Sequence, residues 1–258
     1  MSLQTIKAFA VCAFLTVPGS AHAQTEVASE SPRSERRFVV FANGGVQAAS
    51  RTLNDTFRFR AYGEEAQLAS SQDISGGAMF DFGGALRVWR ALSIGGSYTR
   101  LATTDITEVT GAVPHPMHFN QDRSIAPQSL SLDYVEQAGH VFGAWRLPLS
   151  EKMDLSVFGG MSLYNLTSGL VTNVRLSEAG DSPSGNVNVD QVQTGTHKRN
   201  GAGGHVGIDV TYMMTTSFGV GVLARLGSGS VKLPAVDGKV RPVAVGGVQI
   251  GGGVRVRF

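Results

Sequence analysis

The sequence predicts an all-β chain folded as an eight-stranded antiparallel up-and-down barrel, and three observations predict it. Short runs with a period of two fill the chain after residue 36. Tight and long connections alternate strictly between those runs. Glycine accounts for 33 of the 258 residues, about twice the usual share of roughly 7 %, with neither a collagen period nor the monotony of a linker.

The chain begins MSLQTIKAFAVCAFLTVPGSAHAQ. Lys7 gives a thin positive region, Ala8 to Val17 an apolar run, and Ala21-His22-Ala23 a small-residue cleavage site. Residues 1–23 therefore read as a secretory signal peptide cut before Gln24. The apolar run is far short of the ~20 residues that a spanning helix needs. Cys12, the only cysteine, lies inside it, so the mature chain is expected to hold no disulfide and no thiol nucleophile. Residues 24–36 are polar and read as a flexible leader. The barrel is expected over 37–258.

The last strand shows the alternation most clearly. Ala244, Gly246, Val248, Ile250, Gly252, Val254, Val256 and Phe258 share one face, and Gln249, Gly251, Gly253, Arg255 and Arg257 the other. Ala78, Phe80, Phe82, Gly84, Leu86 and Val88 oppose Asp81 and Arg87 in the same way. Val206, Ile208, Val210 and Tyr212 oppose His205, Asp209 and Thr211. Phe218, Val220, Val222, Ala224 and Leu226 face away from Arg225, and Leu92, Ile94 and Tyr98 away from Ser93, Ser97 and Thr99. Three runs are blurred. Phe142 falls with Glu136, His140 and Arg146, Phe158 with Ser156 and Ser162, and Val39 and Phe41 crowd the polar side of the first strand.

Tight connections fall around Trp89–Leu92, Pro148–Asp154 and Met214–Ser217, and long ones at about 50–75, 105–133, 169–202 and 229–241. That count gives eight strands. The alternating segment TFRFRAY (Thr56 to Tyr62) is read as a hairpin continuing beyond the barrel, not as a ninth strand.

Periodicity alone does not separate a soluble barrel from its inverted, membrane-spanning form. The polar face does, because it is glycine-rich and carries charges of both signs: Asp81, Arg87, Glu136, Arg146, Asp209, Arg225 and Arg255. It holds almost no lysine, as suits a narrow lumen that side chains fill. Asp81, Arg87, Asp209 and Arg225 are expected to be central, with balanced signs. The long connections are expected to be polar loops offering no second hydrophobic core.

In its signal sequence, its eight amphipathic strands and its final strand ending Val254, Val256, Phe258, the chain resembles small bacterial outer-membrane proteins of the OmpA/OmpX type. The resemblance covers about residues 37–258. It implies a transmembrane β-barrel in the bacterial outer membrane, a periplasmic leader, and a terminal strand read by the barrel-assembly machinery. Closing that strand on the first removes both sheet edges. It further implies outer-membrane lipid as the surrounding partner and a monomer. The cell-wall-binding domain of longer relatives is not expected after Phe258.

Few motifs suggest chemistry. His115 and His118 form an H-x-x-H pair with Glu108 and Asp122 as candidate oxygen ligands, but the pattern suits a solvated loop as well. The Gly-rich stretches lack the spacing of nucleotide-binding loops. The Asn165 sequon has no default glycan in a bacterial envelope protein. His140 with Glu136, and His205 with Asp209, share strand faces without a local serine signature, so no catalytic residue, metal or cofactor is expected. A net charge of +2 with scattered basic residues argues against nucleic acid. The expectation is an envelope protein with a structural or surface-interaction role carried by long extracellular loops and an unidentified extracellular ligand. A narrow pore for ions or small solutes is the alternative, and an outer-membrane enzyme the third reading.

Overall fold

A computed structural model of the chain describes residues 36–178, 187–234 and 240–258. The expected signal peptide (1–23) and all of the expected leader but residue 36 lie outside the described residues. Eight long strands form the body: β1 (Phe38–Ala61), β2 (Glu64–Trp89), β3 (Leu92–Pro114), β5 (Gln128–Pro148), β6 (Met153–Glu178), β7 (Val187–Met213), β8 (Phe218–Pro234) and β9 (Val240–Arg257). A three-residue strand, β4 (Asp122–Ser124), pairs with the end of β3. Each long strand is antiparallel to its neighbours, and β1 pairs with both β2 and β9. The sheet therefore closes into an eight-stranded barrel.

The closing seam runs from Val39 opposite Arg257 to Ala48 opposite Val248. Beyond the ladder, Phe258 N–H donates to Phe38 O at 2.9 Å and Phe38 N–H to Phe258 O at 3.3 Å. Their rings lie 6.3 Å apart. The alternation thus continues to the last residue because Phe258 still bonds across the seam.

The three tight connections are where the sequence places them. The four long ones are, over most of their described residues, paired strand. β1 and β2 stay hydrogen-bonded to the pair Ala61–Glu64, and the turn between them has Tyr62 at φ 53° and Gly63 at φ 86°. Positive φ at both central residues marks the two-residue turn that matches the twist of a hairpin, and TFRFRAY is one of its arms. β6 and β7 likewise pair as far as Glu178 with Val187.

These extensions also correct the expectation that the long connections lack a core. Ala66, Leu68, Val109, Val113, Ile125 and Leu132 form a buried apolar cluster there, with Phe59, Ala61 and Leu130 packed against it. Those residues are scattered through polar sequence on several strands, and only pairing of the hairpins brings them together.

The outward face is apolar over the body of the barrel. Val141, Met161, Leu163, Val206, Val222 and Leu226 are among its exposed side chains. On β7 it runs from Ala202 to Tyr212, then turns polar at Asn200 and Lys198, matching the roughly 9–11 residues of a tilted membrane strand. Arg100, Gln137, Asn165 and Asn200 are successive cross-strand partners and mark that polar boundary. Asn165 of the sequon donates to Asn200 there at 2.6 Å. At the turn end, Phe38, Trp89, Trp145, Tyr212, Phe218 and Phe258 are exposed, an aromatic girdle of the kind found where barrels meet a membrane interface.

Candidate functional site

Inward-facing side chains fill the lumen in layers. Nearest the tight turns is an apolar layer of Ala85, Phe142, Phe158 and Leu223, with Val39, Phe41 and Ala144 against it. The blurred runs of the sequence are its source: Phe142, Phe158, Val39 and Phe41 point inward because a packed lumen tolerates apolar side chains.

Next comes the charged centre. Arg225 donates to Asp81 at 2.9 Å, and the two side chains are 2 % and 0 % exposed. Thr99 donates to the same carboxylate at 2.8 Å and Asn43 at 2.9 Å. Arg255 pairs with Asp209 and donates to Asn43 at 2.6 Å. The central charges are thus matched, but the partner of Asp209 is Arg255. Arg87 lies at the turn-end mouth with Arg146, correcting the expectation that it belongs to the balanced centre.

The third layer is built around Glu136, which pairs with Arg51 at 3.0 Å and accepts from Tyr134 at 2.9 Å and Gln47 at 3.2 Å. Arg51 comes from a stretch the sequence suggests is a loop. Gly246 completes the layer with its backbone. Its N–H donates to Glu136 at 3.0 Å, and its carbonyl accepts from Gln47 at 2.8 Å and from Arg51. Its φ of 93° and the Gly227 carbonyl 2.5 Å from where a Cβ would stand make glycine necessary. Gly246 is buried, not part of the exposed outward face its parity suggests.

These layers connect into one path. Glu136 accepts from Gln47, Gln249 donates to Gln47 at 2.6 Å, Arg225 donates to Gln249 at 3.3 Å, and Asp81, Asn43 and Arg255 carry the chain on to Asp209. A second apolar cluster with Ile74, Leu101, Leu166, Val231 and Val245 packs above it.

A branch at the centre joins residues that sequence spacing leaves apart. Thr99 Oγ1 lies 3.1 Å from His140 Nε2, His140 Nδ1 lies 2.8 Å from Ser162 Oγ, and Ser162 Oγ lies 2.9 Å from His205 Nδ1. Donor bookkeeping orders it. Thr99 spends its only hydrogen on Asp81, so His140 Nε2–H donates to Thr99. With neutral imidazoles, Ser162 then donates to His140, and His205 Nδ1–H donates to Ser162. His205 Nε2 is left a buried acceptor without a hydrogen-bond partner. Ser162 is 1 % exposed, so this serine–histidine contact is buried in the lumen. Nothing in the sequence marks Ser162, because its partners come from two other strands.

His115 and His118 stack at 4.6 Å at the hairpin end. His115 Nδ1 accepts the backbone N–H of Met117 at 3.0 Å and of His118 at 3.2 Å, which shapes the loop.

The chain is an eight-stranded antiparallel β-barrel with paired charges at the centre of its lumen.

Among solved structures it is similar to Neisserial surface protein A, at 15 % identity and a TM-score of 0.41, over 86 % of this chain and 97 % of that one. It is similar to the outer membrane protein OprG from Pseudomonas aeruginosa at 10 % identity and 0.39, over 86 % and 95 %. The outer membrane protease OmpT from Escherichia coli matches at 8 % identity and 0.45, over 90 % and 100 %. No protein-family model matches the chain. No curated protein sequence matches it.

Proposed function

We propose that the chain is an integral outer-membrane barrel whose working surface is the set of extended hairpins at the end away from the tight turns. One observation carries this reading: ion pairs and apolar side chains fill the lumen, while the strands continue beyond the apolar band as paired hairpins with a core of their own. A barrel that conducts keeps a polar path open, and here the charges at the centre of the lumen pair with each other. The role is structural or one of surface interaction, and the exposed Met117 and Phe119 stand at that end. Val254, Val256 and Phe258 are the proposed recognition element for the assembly machinery, since the strand they end closes the barrel.

Topology tests the reading. The expected mature chain holds no cysteine, so single cysteines report position cleanly. Met117→Cys is expected to react with a membrane-impermeant maleimide on intact bacteria. Glu151→Cys, in a tight turn, is expected to react only after the outer membrane is permeabilised. Equal labelling of both on intact cells defeats the orientation, and labelling of neither on intact cells defeats the exposed hairpins.

The sealed lumen has its own expected result. Eight strands leave an interior that side chains fill, so purified protein in planar bilayers is expected to show no stable conductance. A large, steady current from the unmodified protein would promote the pore in place of the surface role.

A further inference from the structure

We propose that the turn end of the lumen binds a small organic anion, a carboxylate on an apolar body of about six carbons. A cavity of about 110 Å³ lies there. Its inner wall is apolar, made by Phe41, Ala85, Phe142, Phe158 and Leu223. Arg36, Arg37, Arg87, Arg146, Arg255 and Arg257 also line it, and Arg225 reaches it from the charged centre. Asp209 is the only carboxylate among the described lining residues. Asp81 holds Arg225 and Asp154 holds Arg257 at 2.7 Å. Arg87 aside, six guanidiniums therefore share three carboxylates among the described side chains.

That excess is held in place. Arg36 is tied to Ser217 and to Arg257 O at 3.0 Å, and Arg146 has Arg87 and Arg257 as cationic neighbours beside Asp154. Arg37 is exposed and Arg36, Arg146 and Arg257 are half-buried, and like charges that water screens only in part repel more strongly than at a fully exposed surface. An anion in the cavity would relieve that repulsion. Arg225 adds an independent sign: it is 3 % exposed, and its Nε has no hydrogen-bond partner among the described residues.

The apolar wall selects the class of anion. Inorganic phosphate satisfies the guanidiniums but gains nothing from Phe142, Phe158 and Leu223. A carboxylate with a hydrocarbon body satisfies both, since guanidinium pairs with carboxylate in a two-point fork. At about 110 Å³ the cavity is smaller than the roughly 150 Å³ that holds benzene, so it takes the hydrocarbon body while the carboxylate stays among the arginines. The site is blind at its inner end, where the Arg225–Asp81 pair closes the lumen, so it binds without conducting.

The test is calorimetric titration of the mature chain in an uncharged detergent with hexanoate, hexanamide and inorganic phosphate. Hexanoate is expected to bind saturably at one site, and each of the other two at least tenfold more weakly. Arg146→Gln should weaken hexanoate about tenfold. Leu223→Trp, which fills the inner wall, should weaken hexanoate while leaving phosphate unchanged, and Ala85→Leu serves if that variant does not refold. Heat-dependent gel mobility checks that each variant is a closed barrel. Equal binding of hexanamide, tighter binding of phosphate, no saturable binding of hexanoate, or hexanoate binding unmoved by both substitutions overturns the proposal. The cell-surface labelling above reports on topology separately, so either reading can fail without the other.

Discussion

Asp81→Ala is expected to destabilise the barrel by about 3–5 kcal/mol, the range for breaking a buried ion pair from one side. The cost comes from the partner left behind. Arg225 is 3 % exposed and would keep hydrogen bonds to Thr99, Ser97 and Gln249, but none supplies a negative charge. Thr99 and Asn43 would lose the acceptor they share, and the path through the lumen would break at its centre. Urea unfolding of barrel refolded into phospholipid vesicles gives the measurement. Glu65→Ala is the comparison, because Arg58 and Glu65 pair at 3.3 Å with side chains 64 % and 60 % exposed, where a pair contributes about 0–1 kcal/mol. The paired change Asp81→Leu with Arg225→Met should recover much of the loss, since an apolar pair can replace a buried ionic one with little penalty. An Asp81→Ala effect no larger than that of Glu65→Ala would mean that water screens the lumen and that it is not sealed.

Ile208→Arg is expected to cost about 2–4 kcal/mol, as for a cation moved to the lipid face near the bilayer midplane. Ile208 is exposed on the outward face of β7, between Val157 of β6 and Ala224 of β8. The same cation at Asn200, on the same strand and face but at the polar boundary, should cost about 0–1 kcal/mol. This depth dependence distinguishes lipid from water as the outer solvent. In water both positions would accept an arginine with similar ease. Equal effects in vesicle-refolded protein would therefore defeat the membrane reading, whatever the fate of the lumen assignments.

The sequence by itself determined the strand faces, the eight-strand count and the closing seam. Alternation is a local property: when Val206, Ile208 and Tyr212 share one side of a strand, His205, Asp209 and Thr211 must share the other. The same local rule sends Asp81, Glu136, Arg225 and Arg255 into the lumen. It does not say which meets which. Asp81 and Arg225 lie 144 positions apart, and their contact depends on the stagger between strands accumulated around the ring. That stagger gave Asp209 to Arg255 and left Arg87 at the mouth. It also brought Ser162 between two histidines and gathered guanidiniums around one cavity. The hairpin extensions were legible only in part: TFRFRAY (Thr56 to Tyr62) reads as a hairpin continuing beyond the barrel, but its unbroken run into β1 across the register shift at Ala48–Arg51 depends on pairing with β2. Local chemistry decides which way a side chain points, and only closure of the barrel decides what it meets there.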